Sequence, residues 1–229
     1  DTATHPDYQG KGLFTAMTMH GLDVIADDGI DFVFNTPNDK SRPGYLKMGW
    51  QEVGRLPVAI KLASPLAALT VARSRVAASH WPLPLVIGEP VESVVDRFDV
   101  ASHSSDDPRH ITTNRSAAFA RWRYGNDLLG YRVVTAPDDS GSWVVRVRRR
   151  GGASELVVLD AVGHPPEPTA ELLSATEATH ALRLGAPALS AGLLAYPGGG
   201  PVLTFRSVGA TARPTLSCWQ LKMGDIELF

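Results

Sequence analysis

The sequence predicts a mixed α/β (α+β) fold, with mostly antiparallel sheets flanked by helices. Three observations carry this. Residues 13–27 place Phe14, Met17, Leu22 and Ile25 at helical spacing and run into the short β-type stretch Phe32-Val33-Phe34. Three further β-rich stretches, Tyr131–Thr135, Trp143–Val147 and Leu156–Val162, follow one another as a meander. Of the 229 residues, 44% are hydrophobic and 20% charged, the composition of an ordinary globular protein rather than a disordered, collagen-like or coiled-coil chain. No apolar run reaches the roughly 18 residues that a membrane-spanning helix needs.

Taken in order, the helix over 13–27 ends at Gly29, a helix-stop residue. Asn35 to Pro43 reads as a loop, followed by a short helix over Gly44–Met48 and two short strands, Gln51–Leu56 and Pro57–Leu62. Ser64 as N-cap and Pro65 in the first turn predict a linking helix over 64–79. Residues 80–110 are rich in Pro and Asp, with a short helix at Val91–Phe98. Ser116–Arg123 reads as a helix ahead of the meander. Pro168–Leu184 reads as one long helix, with Thr169 and Glu171 in its first turn and Gly185 as its stop. Leu189–Tyr196, Val202–Val208 and Leu216–Leu221 read as strands, with the turn Gly198-Gly199-Gly200 between the first two. This pattern divides the chain into 1–63, a connection over 64–112, and a second domain over 113–229.

A net charge of −2 supplies no electrostatic drive toward nucleic acid or an anionic membrane. The cluster Arg146, Arg148, Arg149, Arg150 precedes Gly151-Gly152 and reads as a hairpin tip. Cys218 is the only cysteine, reads as core, and fits a reducing cytoplasm. The histidines, among them His103 and His110 in the connection, lack metal-ligand spacing, so no metal is expected.

The chemistry concentrates in His5-Pro6-Asp7-Tyr8-Gln9-Gly10-Lys11-Gly12-Leu13-Phe14. A glycine-containing loop that opens a helix aims backbone N–H groups and the helix dipole at one point, where a phosphate or pyrophosphate is expected. Lys11 can add a charge-assisted contact. A second segment, Asn38 to Trp50, holds Asn38, Ser41, Tyr45, Gly49 and Trp50 within NDKSRPGYLKMGW.

Together the two segments resemble the GNAT superfamily of acyl-CoA-dependent N-acyltransferases. Gln9 and Gly12 match its Q/R-x-x-G-x-G/A pyrophosphate loop, with Phe14 in place of the last small residue. Asn38, Tyr45, Gly49 and Trp50 match its N-x-x-A-x-x-x-Y-x-x-x-G-F motif, with Ser41 in place of Ala. The resemblance implies that backbone groups of Gln9, Gly10, Lys11, Gly12, Leu13 and Phe14 hold the CoA pyrophosphate. It implies that Thr2, Ala3 and Thr4 end the strand alongside the pantetheine arm, and that Asn38 and Ser41 contact the cofactor. Tyr45 then protonates the leaving thiolate, a general-acid role worth on the order of 10²–10⁴ in rate. His5 and His20 are candidate bases by chain proximity alone.

The implied reaction is transfer of an acetyl or other acyl group from acyl-CoA to an amine of a small molecule or peptide. The alternatives are a non-catalytic binding protein of the same fold and an aminoacyl-tRNA-dependent transferase. A GNAT domain has strands ahead of this loop, so the chain, which begins at Asp1, is expected to be the tail of a longer protein with its first domain incomplete. Residues 113–229, through RWRYG at 121–125, the element order and Met223-Gly224-Asp225-Ile226, resemble the trailing domain of bacterial tandem-GNAT proteins. There the loop position reads Gly163-His164-Pro165-Pro166-Glu167-Pro168, with three prolines that lack N–H donors and an acidic side chain. That domain is expected not to bind CoA.

Overall fold

The computed structural model describes residues 4–102, 109–197 and 199–226. Asp1, Thr2, Ala3, His103 and Gly198 lie outside the described residues. The chain forms two compact units that interleave in sequence. One holds the chain up to Leu56 together with Gly200–Trp219; the other holds Pro57–Gly199 and the segment that begins at Gln220. These compact units differ from the linear division at 63 and 112. Hydrogen bonds between strands distant in sequence decide the difference, and no local pattern encodes them.

The first unit is built on a three-stranded sheet of β1 (Phe32–Asn35), β2 (Gln51–Arg55) and β9 (Val202–Ser207). β9 is central and antiparallel to both neighbours, with Phe34 opposite Phe205 and Gln51 opposite the same residue. The apolar face of helix α1 (Leu13–Asp27) packs Leu22, Phe14, Met19 and Ile25 with Met48, Trp50 and Val33. Met17 is 69% exposed, so the helical stripe runs through Met19 instead. Phe32, Phe34, Phe205 and Trp219 form a second aromatic contact set, with ring centroids 5.1 Å apart for Phe34 and Trp219. Leu216–Cys218 is a 3₁₀ turn and not a strand. Cys218 is half-buried there, near Thr215, and is not a core residue.

The second unit has a six-stranded sheet in the order β4-β5-β6-β7-β3-β8. Its strands are β3 (Val58–Leu62), β4 (Arg132–Thr135), β5 (Gly141–Arg150), β6 (Ala153–Gly163), β7 (His180–Leu184) and β8 (Leu194–Ala195). The meander β4-β5-β6 forms as the alternating pattern predicts, and β5 and β6 turn at Gly151-Gly152. The long helix expected over 168–184 does not form. Only α6 (Ala170–Ala175) is helical, capped by Thr169 Oγ1, which accepts from the Leu172 N–H at 3.2 Å. His180–Leu184 instead becomes β7, parallel to β6 and antiparallel to β3. Two partner strands outweigh a helical propensity that is worth only a few tenths of a kcal/mol per residue. Similarly, only Leu194–Ala195 of the 189–196 stretch pairs as a strand, and the linking helix shortens to α3 (Ala67–Arg73).

Opposite faces of the sheet carry separate cores. One joins Val144, Val157 and Leu159 to Val94, Phe98, Ala120 and Tyr124 from the 3₁₀ turn Val91–Val94, α4 (Asp96–Ser102) and α5 (Ala117–Tyr124). The other joins Trp143, Val145, Leu156 and Val158 to Leu172 and Leu173 of α6. The RWRYG segment is thus the end of a docked helix: Trp122 is 77% exposed, whereas Arg123 and Tyr124 are buried. Arg123 Nε donates to Gly224 O at 2.7 Å, which ties this segment to α7 (Met223–Ile226).

The hairpin arginines are not a free basic patch. Arg146 is fully buried. Arg148 Nε and Arg150 Nε reach the two oxygens of the buried Glu155, at 3.0 and 2.6 Å. Burial works against the ionised Glu155 carboxylate, but contacts with His180, Arg150 and Arg148 outweigh it and lower its pKa from 4.5 to about 2. A carboxylate with a lowered folded-state pKa contributes stability above its unfolded pKa and loses it as pH falls through the folded one. Between pH 4.5 and about 2, the chain should therefore lose on the order of 3 kcal/mol through this group. Urea titrations across that window should give a visibly flatter profile for Glu155→Gln. Parallel profiles for parent and variant would show that Glu155 is not the group responsible.

Candidate functional site

The site begins with backbone geometry. Gly10 and Gly12 sit at φ +74° and +70°, the left-handed region that glycine enters without strain. They carry the chain from the 3₁₀ turn Pro6–Tyr8 into the start of α1. Gln9 Nε2 donates to Thr4 O at 3.1 Å and ties the loop together, so this side chain is a structural clasp. In α1 the Ala16 N–H bonds Gly12 O at 2.9 Å. The N–H groups of Leu13, Phe14 and Thr15 precede that ladder and lie at the positive end of a 15-residue helix dipole. Lys11 Nζ sits 4.6 Å from the Tyr8 ring centroid and does not hang free.

Asn38 opens the other wall. Its Oδ1 accepts from the N–H groups of Lys40 and Ser41 at 3.0 and 2.9 Å, and the Arg42 N–H bonds Asn38 O at 2.9 Å. Ser41 Oγ lies 3.2 Å from the same Asn38 Oδ1. Asn38 thus starts helix α2 (Arg42–Lys47), its carbonyl oxygen turned to its own loop and its amide N–H groups left over. Pro43 lies in the first turn, where its missing N–H breaks no helical bond, so α2 starts two residues earlier than the sequence suggests. Gly49 at φ +91° ends the helix and lets Trp50 turn inward, where it is 6% exposed.

These elements enclose a cavity of about 390 Å³. Of the residues expected at a cofactor site, Thr4, Phe14, Asn38, Ser41 and Tyr45 line it; Gln9, Gly10, Lys11, Gly12 and Leu13 form the loop and helix start instead. The Tyr45 ring is clamped between Phe14 and Trp50, with centroids 5.3 and 5.2 Å away. Its hydroxyl has no hydrogen-bond partner among the described residues. Phe14, at the position where a small residue was expected, leans its ring on Tyr45 in edge-to-face contact.

Asn35, Thr36, Pro37 and Lys40 also line the cavity, and motif reading did not single them out. Asn35 is held by Thr204 of β9, whose Oγ1 bonds Asn35 Oδ1, a partnership without a local sequence signal. His5 accepts from the Asp7 N–H at 3.4 Å, and both His5 and His20 are exposed. Neither lines the cavity.

In the second unit, the proline-rich loop of 163–168 joins β6 to α6 beside a smaller cavity of about 230 Å³. Its acidic side chain is already neutralised: Arg183 Nε and Nη2 both lie 2.6 Å from the Glu167 carboxylate. The Trp143 indole N–H donates to Pro166 O at 2.9 Å. Among the described residues, no group of three or more His, Cys, Asp or Glu is placed to hold a metal ion. No helix among them is long and apolar enough to cross a membrane.

Residues 1–53 match the family model described as an acetyltransferase (GNAT) domain. No curated protein matches the chain. Among solved structures it is similar to a GCN5-related N-acetyltransferase from Anabaena variabilis, at 16% identity and TM-score 0.51, over 89% of this chain and 53% of that one. A GCN5-related N-acetyltransferase from Kribbella flavida gives 18% and 0.53, over 92% and 52%. A conserved protein of unknown function from Enterococcus faecalis, described as a probable N-acyltransferase, gives 12% and 0.53, over 91% and 53%. The chain spans about half the length of each of these structures. The match to the acetyltransferase (GNAT) domain is carried by residues 1–53, and the fold of the chain is that of the GCN5-related N-acetyltransferases.

Proposed function

We propose that the first unit supplies the donor side of an N-acyltransferase that moves an acetyl or other acyl group from acyl-CoA to an amine. The observation that carries this reading is convergence. Thr4, Phe14, Asn38, Ser41 and Tyr45, drawn from two sequence motifs, meet at one cavity in the unit that holds the open start of α1. The residues suit an acyl-CoA. The N–H groups of Leu13, Phe14 and Thr15 offer donors and a positive dipole to a pyrophosphate. Asn38 keeps its amide donors for the pantetheine or adenosine side. The Tyr45 hydroxyl, unengaged by the protein, donates a proton to the sulfur as the thioester breaks.

The acceptor amine attacks the thioester carbonyl directly, and the main contribution of the protein is alignment of the two reactants. In this reading the second unit is a second GNAT-like domain without CoA affinity. Its loop at 163–168 carries three prolines, and its Glu167 is committed to Arg183. A cytoplasmic setting fits the lone thiol of Cys218.

Thermal unfolding with added acetyl-CoA tests the donor. A ligand present at about 100 times its Kd stabilises by roughly 2.7 kcal/mol, so a rise of several degrees in Tm is expected. An unchanged Tm at millimolar acetyl-CoA would overturn this assignment.

A further inference from the structure

A second, larger cavity lies wholly within the second unit. It measures about 630 Å³, inside the range of about 300–1,000 Å³ typical of small-molecule sites. Its floor is one face of the sheet, where Ile60 and Leu62 of β3 stand opposite Leu182 and His180 of β7. Its wall is the stripe Ala68, Val71 and Ala72 of α3, spaced as one helical face. Leu194 of β8, paired with Ile60, extends the apolar lining.

Two features make this more than a packing gap. His180 is 1% exposed and lines the cavity, yet neither ring nitrogen makes a hydrogen bond. Nε2 lies 3.4 Å from Glu155 Oε2, a long ion-pair contact that helps hold Glu155 ionised, so Nδ1 is the ring nitrogen with no polar partner among the described residues. Buried polar atoms are rarely left unsatisfied unless a ligand or water completes them. The second feature is charge. Arg75 and Arg150 both border the cavity. Glu155 is shared between Arg150 and Arg148, so the exposed Arg75 at the cavity rim keeps a solvated guanidinium with no protein carboxylate on it. Arg75 has no polar partner among the described residues.

We propose that this cavity binds a small amphipathic carboxylate. Its hydrocarbon body lies between α3 and the sheet, and its carboxylate meets Arg75 and the imidazole N–H of His180. A guanidinium pairs with a carboxylate through two parallel bonds, a geometry a neutral alcohol cannot reproduce. The apolar stripe sets the length preference, because short acids leave most of the cavity unfilled. This site is independent of the acyl-transfer assignment.

Isothermal titration calorimetry of the 229-residue chain with decanoate, decanol and acetate tests it. Decanoate should bind at least tenfold more tightly than decanol, and acetate should not bind measurably. Val71→Trp fills the cavity from the helix side and should abolish decanoate binding. Leu194→Trp fills it from the strand side, so the test survives a folding defect in either variant. Arg75→Ala should weaken decanoate about tenfold and leave decanol unchanged. Equal binding of decanoate and decanol, binding unaffected by both tryptophan variants, or no binding of decanoate would overturn the proposal.

Discussion

Arg115→Ala is expected to destabilise the second unit by about 3–5 kcal/mol, a large share of the roughly 5–15 kcal/mol that holds a typical domain. Arg115 Nε bonds both oxygens of Asp160, at 2.7 and 2.6 Å, and its Nη2 bonds Asp225 Oδ2 at 2.7 Å. Both carboxylates are almost completely buried. Burial raises the Asp160 pKa against the pull of Arg115, and Asp225 adds to the rise, so the guanidinium is what permits this carboxylate to stay ionised. Burial likewise works against the Arg115 charge, but Asp160 and Asp225 outweigh it and raise its pKa. Burial and Asp160 also push the Tyr124 phenol well above its usual range, which keeps it a donor to Asp160 Oδ2 at 3.1 Å.

Removing Arg115 leaves two buried carboxylates without their shared cation. The network also joins distant parts of the chain, since Thr113 Oγ1 donates to Asp225 Oδ1 at 2.7 Å. Urea unfolding followed by far-UV circular dichroism should show the midpoint drop. A midpoint within about 0.5 kcal/mol of the parent would mean that the carboxylates are protonated or hydrated in the folded state, contrary to this account.

The second large effect concerns chemistry rather than stability. Under the proposed function, Tyr45→Phe should lower kcat for acyl transfer by roughly 10²–10⁴ while leaving Tm nearly unchanged. The reason lies in what the side chain touches. Its ring packs between Phe14 and Trp50, and phenylalanine keeps both contacts. Its hydroxyl makes no hydrogen bond to the described residues, so its loss orphans no partner. A structural role would give the opposite outcome, a lowered Tm with turnover preserved per folded molecule. Acetyl-CoA affinity measured in parallel separates lost proton donation from lost binding, because only the former lowers kcat with Kd intact.

Much of the first unit was legible in the sequence because its signals are local. Gly10 and Gly12 mark left-handed backbone, the apolar repeat of 13–27 marks a helix, and Tyr45, Gly49 and Trp50 mark a helix, its stop and a buried aromatic. Each depends on neighbours within one or two turns. The meander of the second unit was legible for the same reason: strand alternation and the Gly151-Gly152 turn lie together in the chain. Even so, Met17 and Met19 exchanged roles, since a single apolar stripe tolerates a neighbouring choice until the sheet beneath it is known.

What only the tertiary structure decided was pairing. His180–Leu184 carries helix-compatible residues, and it is a strand because β6 and β3 offer backbone partners on both sides. β9, more than 140 residues from β2, completes the first sheet and thereby sets the first compact unit. Asn35 and Lys40 enter the cavity beside Tyr45 through that fold, without a motif to announce them. The sequence by itself determined the family motifs and the local geometry of the loop and tyrosine, because sterics and hydrogen bonding within a few residues suffice for them. Strand partners, buried ion networks and cavities needed the folded chain, because their energy comes from groups that the sequence holds far apart.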